Sequence, residues 1–168
     1  QSLGSVNYDA NLKVHTYDTN KTLKLLINNF DWSSVDKKFK SGVQTSFLGN
    51  IKNINYEAKN INKFKKDTTS EFFGSIGVLS KIDLYKKINN FSEHFLTPKF
   101  LLKYAPGQMR KEENGSKLTP TNAFRLNRFN SNDNYETGLS ATLGFDYEIK
   151  KEDRKLDFSI GQVINQKE

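Results

Sequence analysis

The sequence predicts an all-β protein: an antiparallel up-and-down meander of about seven to eight long strands that forms an open portion of a large transmembrane β-barrel. Residues 138–149 alternate apolar and polar side chains without a break, which is typical of a strand with one apolar and one polar face. The segment is longer than the usual soluble strand of about 5–6 residues and has the length of a tilted membrane-crossing strand, about 9–11 residues. Only 35% of the chain is hydrophobic, yet 13 Phe and 7 Tyr argue against disorder. A barrel reconciles these facts, because alternation keeps its mean hydropathy low.

The first part of the chain contains three further predicted strands. Residues 6–16 alternate, a turn-like break follows at 18–21, and residues 22–32 return as the second arm of a hairpin. Residues 39–58 are predicted as strand, with Gly49-Asn50 as either a turn between two short arms or a bulge within one arm. A polar loop follows over 60–70.

The second part continues the meander. Strands are predicted over 71–86, 94–104, 138–149 and 155–164, with a break at 89–92, a long polar loop over 106–134 and a charged turn at 150–153. Pro98 lacks a ladder donor, so either the strand begins after it, which we favour, or the ladder is locally disrupted. Short turns and long loops together are typical of barrels with short turns at one rim and long loops at the other.

Composition narrows the functional classes. The formal charge is +7, and the lysines are dispersed, which favours solvated loops over a nucleic-acid surface or a surface facing anionic lipid. The absence of cysteine excludes thiolate metal sites and disulfides within this sequence. The sequence contains no run of 18 apolar residues, so no transmembrane helix is predicted. The first residues do not resemble a signal peptide, and we expect the chain to be a fragment of a longer protein.

Catalytic patterns are weak. His15 and His94 lie in different segments without ligand spacing. Asp146 and Glu148 share a strand face, where they could serve acid–base chemistry or bind a cation, although a solvated polar face is favoured. Arg and Phe interleave over residues 124–129, which suits single-stranded nucleic acid or, as we favour, a packed loop or contact with anionic lipid. We predict no enzyme, no cofactor, no metal site and no nucleic-acid partner.

Short motifs follow one another in order within residues 96–108, 123–147 and 158–162, for example Asn127-Arg128-Phe129 and Ser159-Ile160-Gly161-Gln162. Together they resemble the barrel domain of the LptD family of lipopolysaccharide-assembly proteins. The resemblance is clear over residues 95–165 and rests on strand pattern alone over 1–94. One departure is visible, because the Gly that follows R-F-x in the family is replaced here by Ser131 or Asn132. The matching positions are Leu96, Pro98, Tyr104, Pro106, Phe124, Asn127, Arg128, Phe129, Asp133, Glu136, Gly138, Ser159, Ile160, Gly161 and Gln162.

The resemblance implies a non-catalytic segment of an outer-membrane translocon that takes part in lipopolysaccharide transport and assembly at the outer leaflet. It implies lipopolysaccharide, outer-membrane lipids, the plug lipoprotein LptE and a periplasmic LptA-like bridge as partners. We expect residues 1–168 to form an interior part of the barrel domain, without the lateral opening between the first and last strands.

The two faces of residues 138–149 receive different roles under this hypothesis. The side chains on the same face of the strand as Leu139 are predicted to meet lipid. Those on the same face as Gly138 are predicted to line the lumen. Lys99, Lys103, Asp146 and Glu148 are predicted as polar lumen contacts, where lysines would make charge-assisted bonds to an anionic glycolipid. Two alternatives stay open: another outer-membrane barrel such as a porin or receptor, and a soluble basic β-domain that binds nucleic acid or glycan.

Overall fold

The computed structural model describes residues 3–17, 19–62, 64–65, 67–89, 92–108, 117–129 and 133–166, and these form one antiparallel sheet. The sheet curls into an open half-barrel, and the part of the chain described contains no helix. The predicted fold class is therefore confirmed. The strands are β1 Ser5–Tyr17, β2 Lys21–Ser33, β3 Lys37–Lys38, β4 Val43–Lys59, β5 Thr69–Ile82, β6 Leu84–Asn89, β7 Ser92–Ala105, β8 Gly138–Lys151 and β9 Lys155–Asn165. Among the described residues, none belongs to a helix that is long and apolar enough to cross a membrane.

The nine strands occupy seven adjacent positions across the sheet, in chain order. The main path runs β1-β2-β4-β5-β7-β8-β9. The short strand β3 pairs with β4 beyond the end of β2, and β6 pairs with β7 beyond the end of β5. The strand predicted over 71–86 is thus divided in two, and Asp83 separates the pieces.

Pro98 lies inside β7, so the favoured prediction that the strand begins after it is wrong. The β5 side of the ladder stops at the pair of Lys81 with Lys99, and the β6 side resumes at the pair of Leu84 with Leu96. Pro98 therefore lies opposite the break, where a missing N–H costs no ladder bond on that side. Asp83 bridges the gap by accepting a hydrogen bond of 3.0 Å from the Thr97 hydroxyl. The local disruption, our alternative interpretation, is what the structure shows.

Gly49 and Asn50 form neither a turn nor a bulge. They pair in unbroken register with Ile76 and Ser75 across β4 and β5. The lack of a side chain at Gly49 leaves room for the ring of Trp32 on the neighbouring strand, which lies 3.4 Å from where a Cβ would be. Packing rather than chain reversal therefore explains this glycine.

The connections differ between the two rims of the sheet. At one rim, here called the lower rim, β3 connects to β4, β6 to β7 and β8 to β9. At the opposite upper rim β1 connects to β2, and the two longest connections join β4 to β5 and β7 to β8. Both of the long loops lie at the upper rim, which confirms the predicted asymmetry. In bacterial barrels the longer loops are extracellular and the short turns periplasmic.

The two faces of the sheet have opposite character over most of its area. One face, the outer face, carries apolar side chains that are largely exposed. These include Tyr8, Leu12, Phe47, Ile51, Ile76, Leu102, Leu143 and Ile160. The other, the inner face, carries polar side chains, and the apolar parity of β8 that begins at Leu139 lies on the outer face.

This polarity reverses near the upper rim in β2 and β4. There the inner face bears the buried cluster of Leu23, Leu25, Ile27, Ile54, Tyr56, Ala58 and Phe64. The outer face of the same strands bears Lys24, Asn53, Asn55 and Glu57 instead, with Lys24 paired to Glu57 at 3.1 Å. Phe64 comes from the 60–68 loop and packs on Tyr56, with ring centroids 4.8 Å apart. A polar exterior over an apolar interior is the arrangement of a water-soluble sheet.

Candidate functional site: the inner wall and its docked loop

The inner face forms a polar wall across six strands. Antiparallel registers place its residues on one side, since side chains alternate along each strand. The wall includes Asn7, Asp9, Asn11, Asn29, Asp31, Asn50, Lys52, Ser75, Lys99, Lys103, Ser140, Thr142 and Asp146. The described parts of the connection between β7 and β8, residues 117–129 and 133–137, are here called the docked loop, and they fold back against this wall instead of projecting from the rim.

Two glycines of the wall allow the docked loop to approach closely. A Cβ added to Gly77 would lie 2.7 Å from Leu126, and one added to Gly161 would lie 3.1 Å from the Cβ of Ala123. A side chain at either position would crowd the loop residue that packs there, so the glycines permit the closest approach. The family-motif residue Gly161 therefore supports a close contact between backbone and loop.

A buried ion cluster, made of Arg128, Glu136 and Lys103, fastens the docked loop to the wall. The Arg128 guanidinium donates to both carboxylate oxygens of Glu136, with Nε at 3.0 and 2.7 Å. The Lys103 ammonium lies 3.0 Å from Glu136 Oε2. The Arg128 and Lys103 side chains are 5% and 1% exposed, and that of Glu136 is 12% exposed. The single carboxylate of Glu136 thus offsets one of the two positive charges, and all three side chains lie largely out of water.

Arg128 also binds the wall directly. Its Nη2 donates to the Ser140 hydroxyl at 3.0 Å, and its Nη1 donates to the Thr142 hydroxyl at 3.3 Å. A longer bond of 3.4 Å reaches Asn165 in β9. The rigid fork of donors on a guanidinium suits such a multipoint contact. Ser140 and Thr142 belong to the polar parity of β8, so this face of the strand serves loop attachment.

The ion cluster shifts the ionisation of Glu136. Burial alone raises the pKa of a carboxyl group, but the hydrogen bonds from Arg128 and the charges of Lys103 and Arg128 outweigh it and hold the pKa of Glu136 below its ordinary value. Glu136 is therefore ionised at neutral pH, as its ion pairs with Arg128 and Lys103 require.

Two further contacts fix the loop beside the ion cluster. The Tyr135 and Ser75 hydroxyls hydrogen-bond to each other, and both side chains are buried. Burial raises the pKa of Tyr135 to about 12, which keeps its hydroxyl protonated. The Lys52 ammonium, also buried, donates to the Asn134 carbonyl at 3.3 Å. The docked loop is thus attached to β4, β5, β7, β8 and β9.

Some family-motif residues belong to the docked loop and others lie on the strands or at their ends. The Asn127 side chain accepts from the backbone N–H groups of Phe129 and Glu136, which joins two parts of the loop. Asp133 carries a charge that acts on Lys52. Gly138 begins β8 at φ +102°, a conformation that favours glycine. Pro106 is exposed where β7 ends, and Gln162 lies on the outer face of β9. The departure at residues 131–132 lies outside the described residues.

The four residues predicted as lumen contacts lie on the inner face, and each has an ionic partner. Lys99 pairs with Asp146, and its ammonium also lies 5.4 Å from the centroid of the Phe124 ring. Glu148 contacts Lys150 and Lys155 at 2.8 Å each. Lys103 is covered by the docked loop. Their proposed contact with substrate stays a prediction.

An open groove lies beside the docked loop, and it was not predicted from the sequence. Its volume is about 760 Å³. The inner faces of β1, β2 and β4 form one side, and loop residues 124–127 form the other. Amides and carboxylates dominate the strand side, namely Asn7, Asp9, Asn11, Asn29, Asp31 and Asn50. The run of Asn and Asp at alternate positions in residues 7–11 and 29–31 was the available signal, but only the register shows that the two runs are adjacent.

No group of three or more potential metal-ligating side chains occurs among the described residues. The arrangement offers a polar wall, a fixed loop and a groove. The prediction that the chain uses no cofactor stays a prediction.

Comparison with protein families gives one result. A family model described as "LptD: LPS transport system D" matches residues 5–168. The match includes residues 5–94, where the sequence motifs gave no support beyond strand pattern. A comparison with curated proteins found no match.

Proposed function

Because this chain belongs to the LPS transport system D family, which acts in lipopolysaccharide transport at the outer membrane, we propose that it forms an interior segment of the β-barrel translocon in that membrane. The observation that carries the proposal is the two-faced sheet, with its exposed apolar outer face and an inner polar wall that leaves an open groove. The segment guides a substrate and performs no covalent chemistry.

The outer face supports a location in the bilayer. Leu143 and Ile160 are about half exposed, and Ile76 is two-thirds exposed. Burial of apolar surface is favourable by about 25 cal/mol per Å², so water contact on this scale is unfavourable and contact with lipid tails removes it. The inner wall would provide the complementary polar surface, along which the sugars and phosphates of lipopolysaccharide pass.

The free edges of β1 and β9 support an interior position in a larger barrel. The described sheet leaves one edge of each strand without a neighbour, and a spanning sheet must close so that every backbone group is paired. We propose that further strands of the same barrel pair with both edges. The plug lipoprotein LptE and a periplasmic LptA-like bridge remain the partners proposed from the family.

Site-specific photocrosslinking in growing cells tests this function. Photoreactive residues at Asn7 and Lys99 report on the inner face, and residues at Phe47 and Leu143 report on the outer face. We expect the inner positions to crosslink newly made lipopolysaccharide only while its synthesis continues, since they would contact substrate in transit. The outer positions should crosslink resident lipid whether or not synthesis is blocked. Outer crosslinks without any inner crosslink to lipopolysaccharide would contradict the proposal.

A further inference from the structure

The groove beside the docked loop has a chemistry of its own, and this inference rests on the proposed function. We propose that the groove binds the neutral, hydroxyl-rich part of the glycan and disfavours its phosphates. The residues that carry the proposal are Asn50, Asp9 and Asp31, which lie together on the inner faces of three adjacent strands.

The side-chain oxygen of Asn50 is a buried hydrogen-bond acceptor that receives no hydrogen bond from the described residues. The side-chain nitrogen of Asn50 donates to Asn29 Oδ1 at 2.9 Å, Asp31 Oδ1 at 2.6 Å and the Phe30 carbonyl at 3.3 Å. These three acceptors fix the orientation of the amide. Its oxygen then accepts no hydrogen bond from any described residue, although Asn50 is only 4% exposed and lines the groove. A buried acceptor left unpaired is costly, and a ligand hydroxyl would supply the missing donor.

The strand side of the groove is rich in acceptors. Asp9 accepts from the Asn7 amide at 2.8 Å, and Asp31 accepts from the Asn29 amide at 2.6 Å. These bonds hold two carboxylates toward the groove, each with lone pairs to spare. A sugar hydroxyl can donate to such groups. A phosphate has no proton to donate at its ionised oxygens and would face two negative charges.

The cations near the groove do not reverse this preference. Lys52 lines the groove and donates to the Asn134 carbonyl, and the charges of Asp133 and Asp31 offset its own. Arg125 lines the groove from the loop side, whereas Asp9 and Asp31 lie on the strand side beside Asn50. The volume of about 760 Å³ lies within the range of about 300–1,000 Å³ found for ligand sites, which is sufficient for a short run of sugar rings.

Photocrosslinking of the full protein in its native membrane tests the proposal. The photoreactive residue replaces Asn11, which lines the groove, and the matched control replaces its neighbour Leu12, which lies on the outer face. Two kinds of cells are compared. One makes lipid A that carries a neutral oligosaccharide, and the other makes phosphorylated lipid A without neutral sugars. We expect crosslinking at Asn11 to be about tenfold stronger with the neutral oligosaccharide, a factor equivalent to one or two hydrogen bonds.

Two variants sharpen the result. Asn50→Leu should remove the preference, whereas Asn53→Leu, on the opposite face of the same strand, should keep it. Because Asn50→Leu disturbs a buried network, Asp9→Asn provides a second measurement that keeps the shape of an exposed side chain. It should increase crosslinking to the phosphorylated lipid A without neutral sugars, since one repelling charge is gone.

The outcomes separate this inference from the proposed function. Equal or stronger crosslinking at Asn11 with phosphorylated lipid A alone would overturn the glycan preference and leave the transport role intact. No effect of Asp9→Asn would also count against it. A lack of lipopolysaccharide crosslinks at Asn11, Asn7 and Lys99 alike would instead overturn the proposed function.

Discussion

Arg128 is the residue on which the docked loop depends most. It gives Glu136 a two-point contact and reaches two hydroxyls of β8. Its loss removes charge-assisted hydrogen bonds to Glu136, each of which contributes about 1.5–3 kcal/mol, while Lys103 still compensates the carboxylate. Arg128→Ala should therefore release the loop, seen as rapid protease cleavage within residues 117–129 of the membrane-embedded protein. Arg125→Ala, an exposed neighbour, is the control and should leave cleavage slow. Equal cleavage of both variants would show that the ion cluster does not hold the loop.

Glu136 gives the loop a predictable dependence on pH. Its pKa is lower in the folded protein than in an unfolded chain, so its ionised form stabilises the docked loop above the ordinary Glu pKa of about 4.3. This contribution is lost as the pH falls through the lowered folded value. Protease resistance of the loop should stay constant from neutral pH to about 5 and decline below about 4. Glu136→Gln should be cleaved faster at neutral pH and should lose the acid-dependent step. A wild-type loop that is released already near pH 6 would contradict this assignment.

Residue roles were only partly accessible from the sequence. The motif that contains Asn127, Arg128 and Glu136 marked these positions but gave no partner for them. Lys103 was predicted to meet substrate because its parity places it on the inner face, and it does lie there. The ion pair with Glu136 joins positions that are far apart in the chain, and strand periodicity carries no information about which wall residues a loop covers.

Strands β2 and β4 contain a reversal of polarity that the sequence does record. In β2 the apolar parity changes from Leu23, Leu25 and Ile27 to Phe30 and Trp32. Since lipid requires an apolar outer face and water a polar one, the reversal should mark the outer limit of the bilayer on these strands. The reversal was not predicted, because a single alternation was expected along the full length of each strand.

A pair of substitutions on the outer face of β4 tests this boundary. Ile51 lies below the reversal and Asn55 above it, and both point outward. A lysine near the middle of the bilayer costs about 2–4 kcal/mol, and one near the interface costs about 0–1 kcal/mol. Ile51→Lys should therefore reduce the amount of folded protein in the membrane, measured by migration on unheated gels, while Asn55→Lys should have little effect. Similar losses for both would place the bilayer higher on the strand.

Strand existence was more predictable than strand continuity. Long alternating segments such as residues 138–149 were identified within two residues of their ends. Gly49 and Pro98 were misjudged because local propensity favours turns and strand ends at these residues, whereas the neighbouring strands supply a packed Trp32 ring in one case and a ladder break in the other. Both errors arise where tertiary partners override a local preference.

At the level of the molecule, the sheet and the docked loop together define the proposed passage. The groove of about 760 Å³ stays open while the loop is attached to five strands. An attachment that includes a buried ion cluster is costly to break, so we infer that the loop is a permanent part of the wall and that transport proceeds without its release.

A disulfide between loop and wall tests this inference. The Cβ of Ala123 lies 3.1 Å from the position of a Cβ on Gly161, and a disulfide needs about 3.5–4.5 Å, so a shift of a few tenths of an ångström permits the bond. The chain contains no other cysteine, which makes Ala123→Cys with Gly161→Cys a clean pair. We expect the oxidised double variant to deliver lipopolysaccharide to the cell surface at the rate of its reduced form, with each single variant as control. Transport that stops on oxidation and resumes on reduction would instead identify the docked loop as a gate, because the disulfide changes only its freedom to leave the wall.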